Sequence, residues 1–355
     1  MQMAETIAST AAWKGSDIVD DPRWQFVLQD VDIAEIEAAL QHGKKLKLDP
    51  QSIRSEHFPL DIVKTKIVRI ASELEDGCGF ARLRGLPLER WSREDLELVW
   101  MGLASHLGQP VSQNSEGQLL REIRAEPGDV GRRHGQLATD DGQFLSSRAR
   151  TASNAELRYH TDRTDIVSLL CTGVARSGGL SKIVSSVTVH NEMLARYPEL
   201  CDLLYLDLPR SRVGEEAGGE NAWYQLPVWG VRDGKFTSHY SRTYIEALEH
   251  VPGAPNVSSE QWRALEVLAM LAEEQHFEME LAAGDIQFIN NHVIYHSRTA
   301  FEDDPGAGKQ RCLWRIWLSA PHRALPPDHA VLWGEVESGK VRGGIGVEPV
   351  NRVCE

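Results

Sequence analysis

The chain has 355 residues, a hydrophobic fraction of 41% and a net charge of −14, from 38 Lys and Arg against 52 Asp and Glu. These values are typical of a globular protein that forms one large domain or two ordinary ones. The acidic balance, without any local run of basic residues, disfavours a nucleic-acid partner, which requires a positively charged surface. No apolar run approaches the roughly 20 residues that cross a bilayer, so a membrane partner is not expected either.

The cysteines and the N-terminus indicate the compartment. Five cysteines are scattered along the chain without any C-x-x-C spacing, which favours reduced thiols over a disulfide framework or a zinc ribbon; they are Cys78, Cys171, Cys201, Cys312 and Cys354. The first 17 residues lack the basic segment and apolar core of a signal peptide. We therefore expect a cytoplasmic protein, and the sequence leaves open whether it forms a homo-oligomer.

The N-terminal third of the chain predicts helices. Residues 1–28 are expected to form a poorly specified lead-in. Residues 30–43 and 59–75 have the apolar spacing of helices and end near a glycine. Residues 79–85 predict a short strand. A third helix is expected to begin after Ser92, which can cap it, and to end at Gly108.

The rest of the chain predicts a β-rich core. Residues 125–155 are polar and rich in Gly, Arg and Asp, which predicts a mobile lid, with a disordered insertion as the alternative. After Tyr159 come short runs of alternating apolar residues, typical of strands: DIVSLLCTGVA, SKIVSSVTV, FTSHYSR, HFEMEL, DIQFINN and RCLWRIWLSA. One more helix is predicted over about 259–274. Since there is neither an internal repeat nor a linker, residues 29–355 are expected to form a single domain.

A possible metal site begins in LRYHTDRTD, where His160 and Asp162 lie two residues apart. On a strand such residues point to the same face, as two ligands of one metal must, although a polar surface strand is the commoner origin of H-x-D. Far along the chain, GDIQFINNHVIYHSR holds His292 and His296. A jelly-roll brings an early strand beside a late one. Two histidines and one carboxylate would then form the facial triad of non-haem Fe(II) oxygenases.

Four motifs in order make this interpretation specific. The succession H-T-D, S-G-G-x-S, G-D-x-x-F-x-N-N-x-x-x-x-H and R-x-x-x-R, from about Gly79 to Ala320, resembles the taurine dioxygenase / clavaminate synthase-like (TauD/TfdA) family of Fe(II)- and 2-oxoglutarate-dependent dioxygenases. The resemblance implies an α+β fold in which a double-stranded β-helix, a distorted jelly-roll, is flanked by helices. It also implies Fe(II), the co-substrate 2-oxoglutarate, and O2.

Site residues follow from the same resemblance. His160, Asp162 and His296 look like the iron ligands. Arg311, fifteen residues after His296, looks like the arginine that pairs with the distal carboxylate of 2-oxoglutarate, a task for which its planar fork is suited. Ser181 stands where the family usually has a threonine whose hydroxyl binds the same carboxylate.

Three further residues have two interpretations each. His292 competes with His296 as a ligand, but the spacing to Arg311 and the preceding Asn-Asn pair favour His296. Arg315 lies four residues after Arg311 and so on the same strand face, where it contacts either the acidic group of a substrate or only the barrel. Glu156 could receive a substrate ammonium group, or it could be a solvated surface glutamate.

The function implied is oxidation of an unactivated C–H bond with release of succinate and CO2. Hydroxylation is expected, and desaturation or ring closure stays open. Arg315 and Glu156 together would suit a small acidic or amino-acid-like substrate. The alternatives are a protein or peptide hydroxylase of the same fold and a non-catalytic jelly-roll binding protein, which would need neither the three ligands nor the two arginines.

Overall fold

The computed structural model describes residues 4–128, 130, 147–212 and 220–347. Helices and strands are mixed along the chain, as the sequence predicts, and no helix in these ranges is both long and apolar enough to cross a bilayer. The strands are β1 (Gln25–Val27), β2 (Phe80–Arg84), β3 (Gln109–Val111), β4 (Leu120–Ile123), β5 (Leu157–His160), β6 (Ile166–Gly173), β7 (Ser177–Gly178), β8 (Ser181–Ser185), β9 (Leu208–Ser211), β10 (Trp223–Leu226), β11 (Trp229–Arg232), β12 (Lys235–Ser238), β13 (Phe277–Met279), β14 (Ile286–Asn290), β15 (Ile294–Arg298), β16 (Phe301–Glu302) and β17 (Cys312–Ser319). The helices are α1 (Gly15–Ile18), α2 (Asp30–Leu46), α3 (Ile62–Glu75), α4 (Arg93–Ser105), α5 (Ser147–Thr151), α6 (Ser186–Arg196), α7 (Pro198–Leu203), α8 (Arg242–Glu246), α9 (Ser259–Gln275) and α10 (Ala330–Trp333).

Two sheets carry the site. The larger has the order β1-β2-β14-β6-β17-β3, and β4 also pairs with β17. The smaller has the order β13-β8-β15-β5. Every pairing in them is antiparallel except that of β1 with β2. Strands distant in sequence are therefore neighbours, so that β5 lies beside β15.

The larger sheet is buried on both faces. On β6, the side chains of Val167 and Leu169 pack into a core shared with the smaller sheet. The alternate residues Ile166 and Leu170 pack into a second core formed with α2, α3 and α4. This alternation follows from the two-residue period of a strand, and it explains why β6 reads as a continuous apolar run.

The same alternation determines where Arg315, the arginine of β17, points. Leu313 and Trp317 belong to the core between the sheets, whereas Trp314 and Ile316 face the helices. Arg315 shares the parity of Leu313 and Trp317, so it points inward, toward the space between the sheets. Trp314, the residue before Arg315, points to the opposite face of the strand.

Helix α2 runs past its predicted end. The sequence suggests Gly43 as the terminus, but the helix continues to Leu46 and ends where Lys47 adopts the left-handed conformation, with φ 53°. Gly43 instead permits close packing, because a Cβ there would lie 2.9 Å from Cδ2 of Leu98 on α4. The start of α4 is as predicted, since Oγ of Ser92 accepts a hydrogen bond from the backbone N–H of Asp95.

The segment SKIVSSVTV is only half a strand. Strand β8 ends at Ser185, and the remaining residues begin α6. The prediction of one continuous strand is wrong because Ser185 caps a helix, its Oγ accepting from the N–H of Thr188 at 3.0 Å. A local capping bond thus overrides the preference of valine and threonine for strands.

Residues 4–28 are better defined than the sequence suggests. Trp13, Ile18 and Trp24 are buried in the core between the sheets, and Nε1 of Trp13 donates to the carbonyl of Cys78 at 2.7 Å. Their apolar surface anchors the segment to the domain. Of the lid expected over 125–155, residue 129 and residues 131–146 lie outside the described residues.

The packing of α4 on the chain before α3 gives a test of the fold. A Cβ at Gly102 would overlap the ring of Phe58, which is fully buried. We expect Gly102→Ala to destabilise the protein by about 1–3 kcal/mol, although alanine favours helices, because the close packing must open. Urea unfolding measures this change.

The matched control is Val68→Ala on α3, whose side chain is 59% exposed. It should change the free energy of unfolding by less than about 0.5 kcal/mol. A Gly102→Ala protein as stable as the wild type would contradict the packing of α4 described here.

Candidate metal centre

Three side chains that could bind a metal converge between the sheets. His296 on β15 is the direct cross-strand partner of His160 on β5, and Asp162 follows two residues after His160. The Asp162 carboxylate lies 3.8 Å from Nε2 of each histidine. Among the described residues this is the one group of at least three His, Cys, Asp or Glu side chains with ligand atoms within 4.8 Å of one another.

Hydrogen bonds to the backbone fix the loop that carries Asp162. The Asn291 side chain accepts from the N–H of Asp162 at 3.1 Å and donates to the carbonyls of Asp162 and, at 2.9 Å, Thr164. On the other side, the N–H of Thr161 donates to the carbonyl of Tyr240 at 2.7 Å. The carboxylate is therefore positioned by the chain around it.

The protonation states suit metal binding. Nδ1 of His160 lies 2.9 Å from the carbonyl of Arg158, and since a carbonyl only accepts, Nδ1 carries the proton and Nε2 keeps its lone pair. Burial lowers the pKa of His160, and burial also lowers the pKa of His296 to about 3. Burial opposes ionisation of Asp162, but the charge of Arg315 holds its pKa below the usual value.

This donor set, two neutral imidazoles and one carboxylate in a buried site, fits Fe(II) in a facial triad with open positions. His292 is not part of it. Nε2 of His292 lies 2.7 Å from the Asp165 carboxylate, its Nδ1 lies 2.7 Å from Oγ1 of Thr237, and its ring stacks on Trp333. The structure therefore places His296, and not His292, at the candidate metal centre, in agreement with the spacing to Arg311.

A first cavity, here called the histidine-side cavity, is bordered by His160 and His296. Ser181 and Arg311 also line it. Oγ of Ser181 donates to Oε1 of Gln287 at 2.8 Å. The two histidines assigned to the metal and the two residues assigned to 2-oxoglutarate therefore line one space, while Asp162 lines the cavity described below.

Arg311 is poised to bind an anion there. Its Nε donates to the carbonyl of Gly179 at 3.2 Å, while Nη1 is buried and has no hydrogen-bond partner among the described residues. Burial lowers the pKa of Arg311 to about 10. Arg298 lines the same cavity, and burial together with the charge of Arg311 lowers its pKa to about 9.

Arg298 was not predicted from the sequence. Its position two residues after His296 on one strand could have revealed it, because such residues share a face. One of its Nη groups donates to the carbonyl of Ser153 at 2.9 Å, whereas Nε and the other Nη are buried without partners among the described residues. A second cation therefore lies close to Arg311.

A second cavity lies on the Asp162 side of the triad. We call it the arginine cavity, because Arg121, Arg148, Arg163 and Arg315 are in its walls. Only Arg315 among them was expected from the sequence. The others come from β4, from α5 and from the loop after β5, so no short motif joins them.

Arg315 borders both cavities. Its Nη1 donates to Oδ2 of Asp162 at 3.0 Å, and its Nε donates to Oε1 of Gln113 at 2.7 Å. Nε1 of Trp317 donates to the same Asp162 oxygen at 2.8 Å. Trp317 was also missed, although its place two residues after Arg315 puts it on the same face.

Glu156 is not brought to the site. Its side chain is 60% exposed and lies 3.3 Å from Nζ of Lys182, which also pairs with Glu273 at 2.8 Å. The alternation that would aim it inward fails because β5 begins at Leu157 and its pairing with β15 contains a register shift. Of the two interpretations, the structure favours the surface glutamate.

Known proteins resemble this chain over most of its length. It is 27% identical to the FR-33289 synthase of Streptomyces rubellomurinus over 346 residues, which are 95% of this chain and 98% of that protein. It is also 27% identical to the taurine hydroxylase-like protein SAT17 of Stachybotrys chartarum, over 89% of this chain and 80% of that one.

Solved structures share the fold at low sequence identity. An asparagine oxygenase in complex with Fe(II), 3-hydroxyasparagine and succinate has a TM-score of 0.65 at 16% identity, covering 92% of this chain and all of that one. The non-haem iron oxygenase OrfP, in complex with Fe and α-ketoglutaric acid, has a TM-score of 0.57 at 16% identity, covering 84% of this chain and 94% of that one.

The match to a family model settles the classification. Residues 44–317, which hold the triad, Arg311, Arg315 and Ser181, match the model of the taurine catabolism dioxygenase TauD, TfdA family. The matched segment is most of the chain, and its ends enclose both sheets apart from β1 and the last residues of β17. The chain therefore belongs to the TauD/TfdA family.

Proposed function

We propose that this protein is an Fe(II)- and 2-oxoglutarate-dependent dioxygenase that oxidises an unactivated C–H bond of a small acidic substrate, releasing succinate and CO2. The observation that carries the proposal is the buried triad of His160, Asp162 and His296 with a cavity on each side. Such an oxidation needs two organic molecules at one metal. Two cavities that share Arg315 are suited to hold them separately.

The triad residues would hold the metal, which together with 2-oxoglutarate and O2 supplies the oxidising power. His160 and His296 offer neutral nitrogens, and Asp162 offers the one anionic ligand. Arg311 would anchor the distal carboxylate of 2-oxoglutarate through its free Nη1, with the Ser181 hydroxyl beside it. A buried guanidinium and a carboxylate form strong bidentate hydrogen bonds.

Arg315 would act on both sides of the metal. Its bond to Asp162 holds that carboxylate ionised and oriented, and its place in the arginine cavity allows contact with an acidic substrate. Trp317 contributes a second donor to Asp162 and an apolar wall, which helps to keep water from the reacting C–H bond. The amine-binding role considered for Glu156 has no support in its position.

We also infer the finer architecture. The two antiparallel sheets, with β5 against β15 and a shared core, suit a double-stranded β-helix or distorted jelly-roll, with α2, α3 and α4 packed on its outer face. One domain over residues 29–355, with the N-terminal segment packed onto it, is consistent with this arrangement.

A screen for succinate release tests the proposed reaction. Purified protein with Fe(II), 2-oxoglutarate and O2 would be offered amino acids, sulfonates, phosphonates, aryloxy acids and peptides, with mass detection of products. A small acid whose oxidised product matches succinate one to one is the expected result. Turnover of peptides alone would favour the peptide-hydroxylase alternative, and the absence of Fe(II) and 2-oxoglutarate binding would favour a binding protein.

Replacement of Asp162 tests the metal ligands. Asp162→Ala removes the only anionic ligand, so turnover should fall by far more than tenfold, which corresponds to about 1.4 kcal/mol of barrier. Fe(II) bound per chain, measured after desalting, should fall with it.

Glu156→Gln is the control. It changes a carboxylate that lies outside both cavities, four residues before His160. It should retain the turnover of the wild type. If Asp162→Ala keeps more than a tenth of the wild-type rate, Asp162 is not a ligand.

Replacement of Arg311 tests the 2-oxoglutarate site. Arg311→Lys keeps the charge but loses the planar fork, so the apparent KM for 2-oxoglutarate should rise about tenfold or more, as expected for charge-assisted hydrogen bonds. Fe(II) binding should barely change. An unchanged KM would shift the assignment to Arg298 or Arg315.

A further inference from the structure

The arginine cavity has an excess of positive charge. Four of the residues that line it are arginines, and among the described lining residues Asp162 is the one carboxylate. In the proposed enzyme Asp162 is a metal ligand, so its charge is directed at the metal. A neutral or cationic substrate would gain nothing from such walls, whereas an anion would be attracted into them.

The arginines approach the cavity from different directions. Arg121 on β4 is the cross-strand partner of Arg315 on β17. Arg148 is on the short helix α5, and Arg163 directly follows Asp162. The four arginines therefore come from β17 and three other parts of the chain, and all four line the same space.

Two carboxylates among the described residues lie near the cavity arginines. Burial, with the charges of Arg315 and Arg148, lowers the pKa of Arg121 to about 10, while Glu126 acts in the opposite direction. Arg163 has Glu220 at 3.9 Å, but that carboxylate lies 2.5 Å from Arg212. Mutual repulsion among the cavity arginines would be relieved by a bound anion.

We propose that the arginine cavity binds a phosphonate or phosphate monoester group of the substrate, so that the enzyme oxidises a short organic phosphonate or phosphate. This rests on the proposed function, because it names the substrate class of that same site. A –PO3 group carries nearly two charges and three acceptor oxygens that are not coplanar. Arginines arranged around a space can each donate to a different oxygen, whereas a carboxylate offers two oxygens in one plane.

The remaining walls suit a small carbon skeleton. Trp317 and Leu332 provide apolar surface, and Thr161 and Tyr244 add hydroxyl groups. Arg315 lines the cavity and its Nη1 lies 3.0 Å from Oδ2 of Asp162, so an anion held by Arg315 places the carbon atoms next to it close to the metal. The bond oxidised is therefore expected within a few atoms of phosphorus.

Calorimetric titration of four matched anions tests this proposal. The protein, loaded with Fe(II) and 2-oxoglutarate without O2, is titrated with propylphosphonate, propyl phosphate, propanesulfonate and butanoate, at a pH about two units above the second phosphate pKa of about 6. The phosphorus compound with the higher affinity should bind at least about ten times as tightly as propanesulfonate and butanoate. Which of the two binds more tightly identifies the phosphonate or the phosphate as the source.

Variants locate the binding. Arg148→Gln and Arg121→Gln should each lower the affinity for the phosphorus compound about tenfold. The control Arg124→Gln changes an arginine just after β4 that is 64% exposed and should bind like the wild type. Circular dichroism and melting confirm that each variant is folded.

Two results would overturn the proposal: propanesulfonate or butanoate binding as tightly as the phosphorus compounds, or both arginine variants binding like the wild type. The visible absorption of the Fe(II) and 2-oxoglutarate complex, recorded in the same samples, reports on the proposed function separately. If this absorption is absent, the proposed dioxygenase function is refuted. The titration would still decide whether the cavity selects a –PO3 group.

Discussion

The pairing of β5 with β15 is the constraint on which the site depends. It places His160 directly opposite His296 although 136 residues separate them. A strand that slipped by one residue would turn its histidine to the other face. The register is held on the far side of β15 as well, where five consecutive residues pair with β8. The geometry of a metal site made from two distant strands therefore depends on the register of the sheet that carries them.

Asp162 depends on a different kind of restraint. It lies in a loop, where no ladder of hydrogen bonds fixes it, and Asn291 replaces that ladder by bonding its N–H and its carbonyl. Arg315 and Trp317 then orient the carboxylate from β17. The larger sheet therefore controls the acidic ligand, and the smaller sheet controls the two histidines. Close packing of the two sheets brings the three ligands together.

Local sequence patterns predicted a large part of this arrangement. The i, i+2 spacing identified His160 and Asp162 as neighbours, and the resemblance identified His296 and Arg311, which line one cavity with His160. The strand period also predicted that Arg315 shares the face of Arg311, and both residues line that cavity. The prediction for Arg315 succeeds because strand geometry fixes the direction of a side chain, whereas Asp162 lies beyond the end of β5 and is positioned by Asn291.

Features that depend on distant parts of the chain could not be predicted from the sequence. Arg121, Arg148 and Arg163 meet only because β4, α5 and the loop after β5 converge. The register shift beside β5 removes Glu156 from the face that simple alternation assigns to it. The cap at Ser185 converts half of an apparent strand into a helix. In each case a tertiary contact or a single hydrogen bond outweighs the local pattern.

The central claim is that the triad holds Fe(II) and leaves room for 2-oxoglutarate beside it. The most direct measurement is the absorption spectrum of the anaerobic protein titrated with Fe(II) in the presence of 2-oxoglutarate. The account predicts a weak visible charge-transfer band that needs both components, saturates at one Fe(II) per chain and disappears in His296→Ala. A wild-type protein without this band, or a band that survives in His296→Ala, would contradict it.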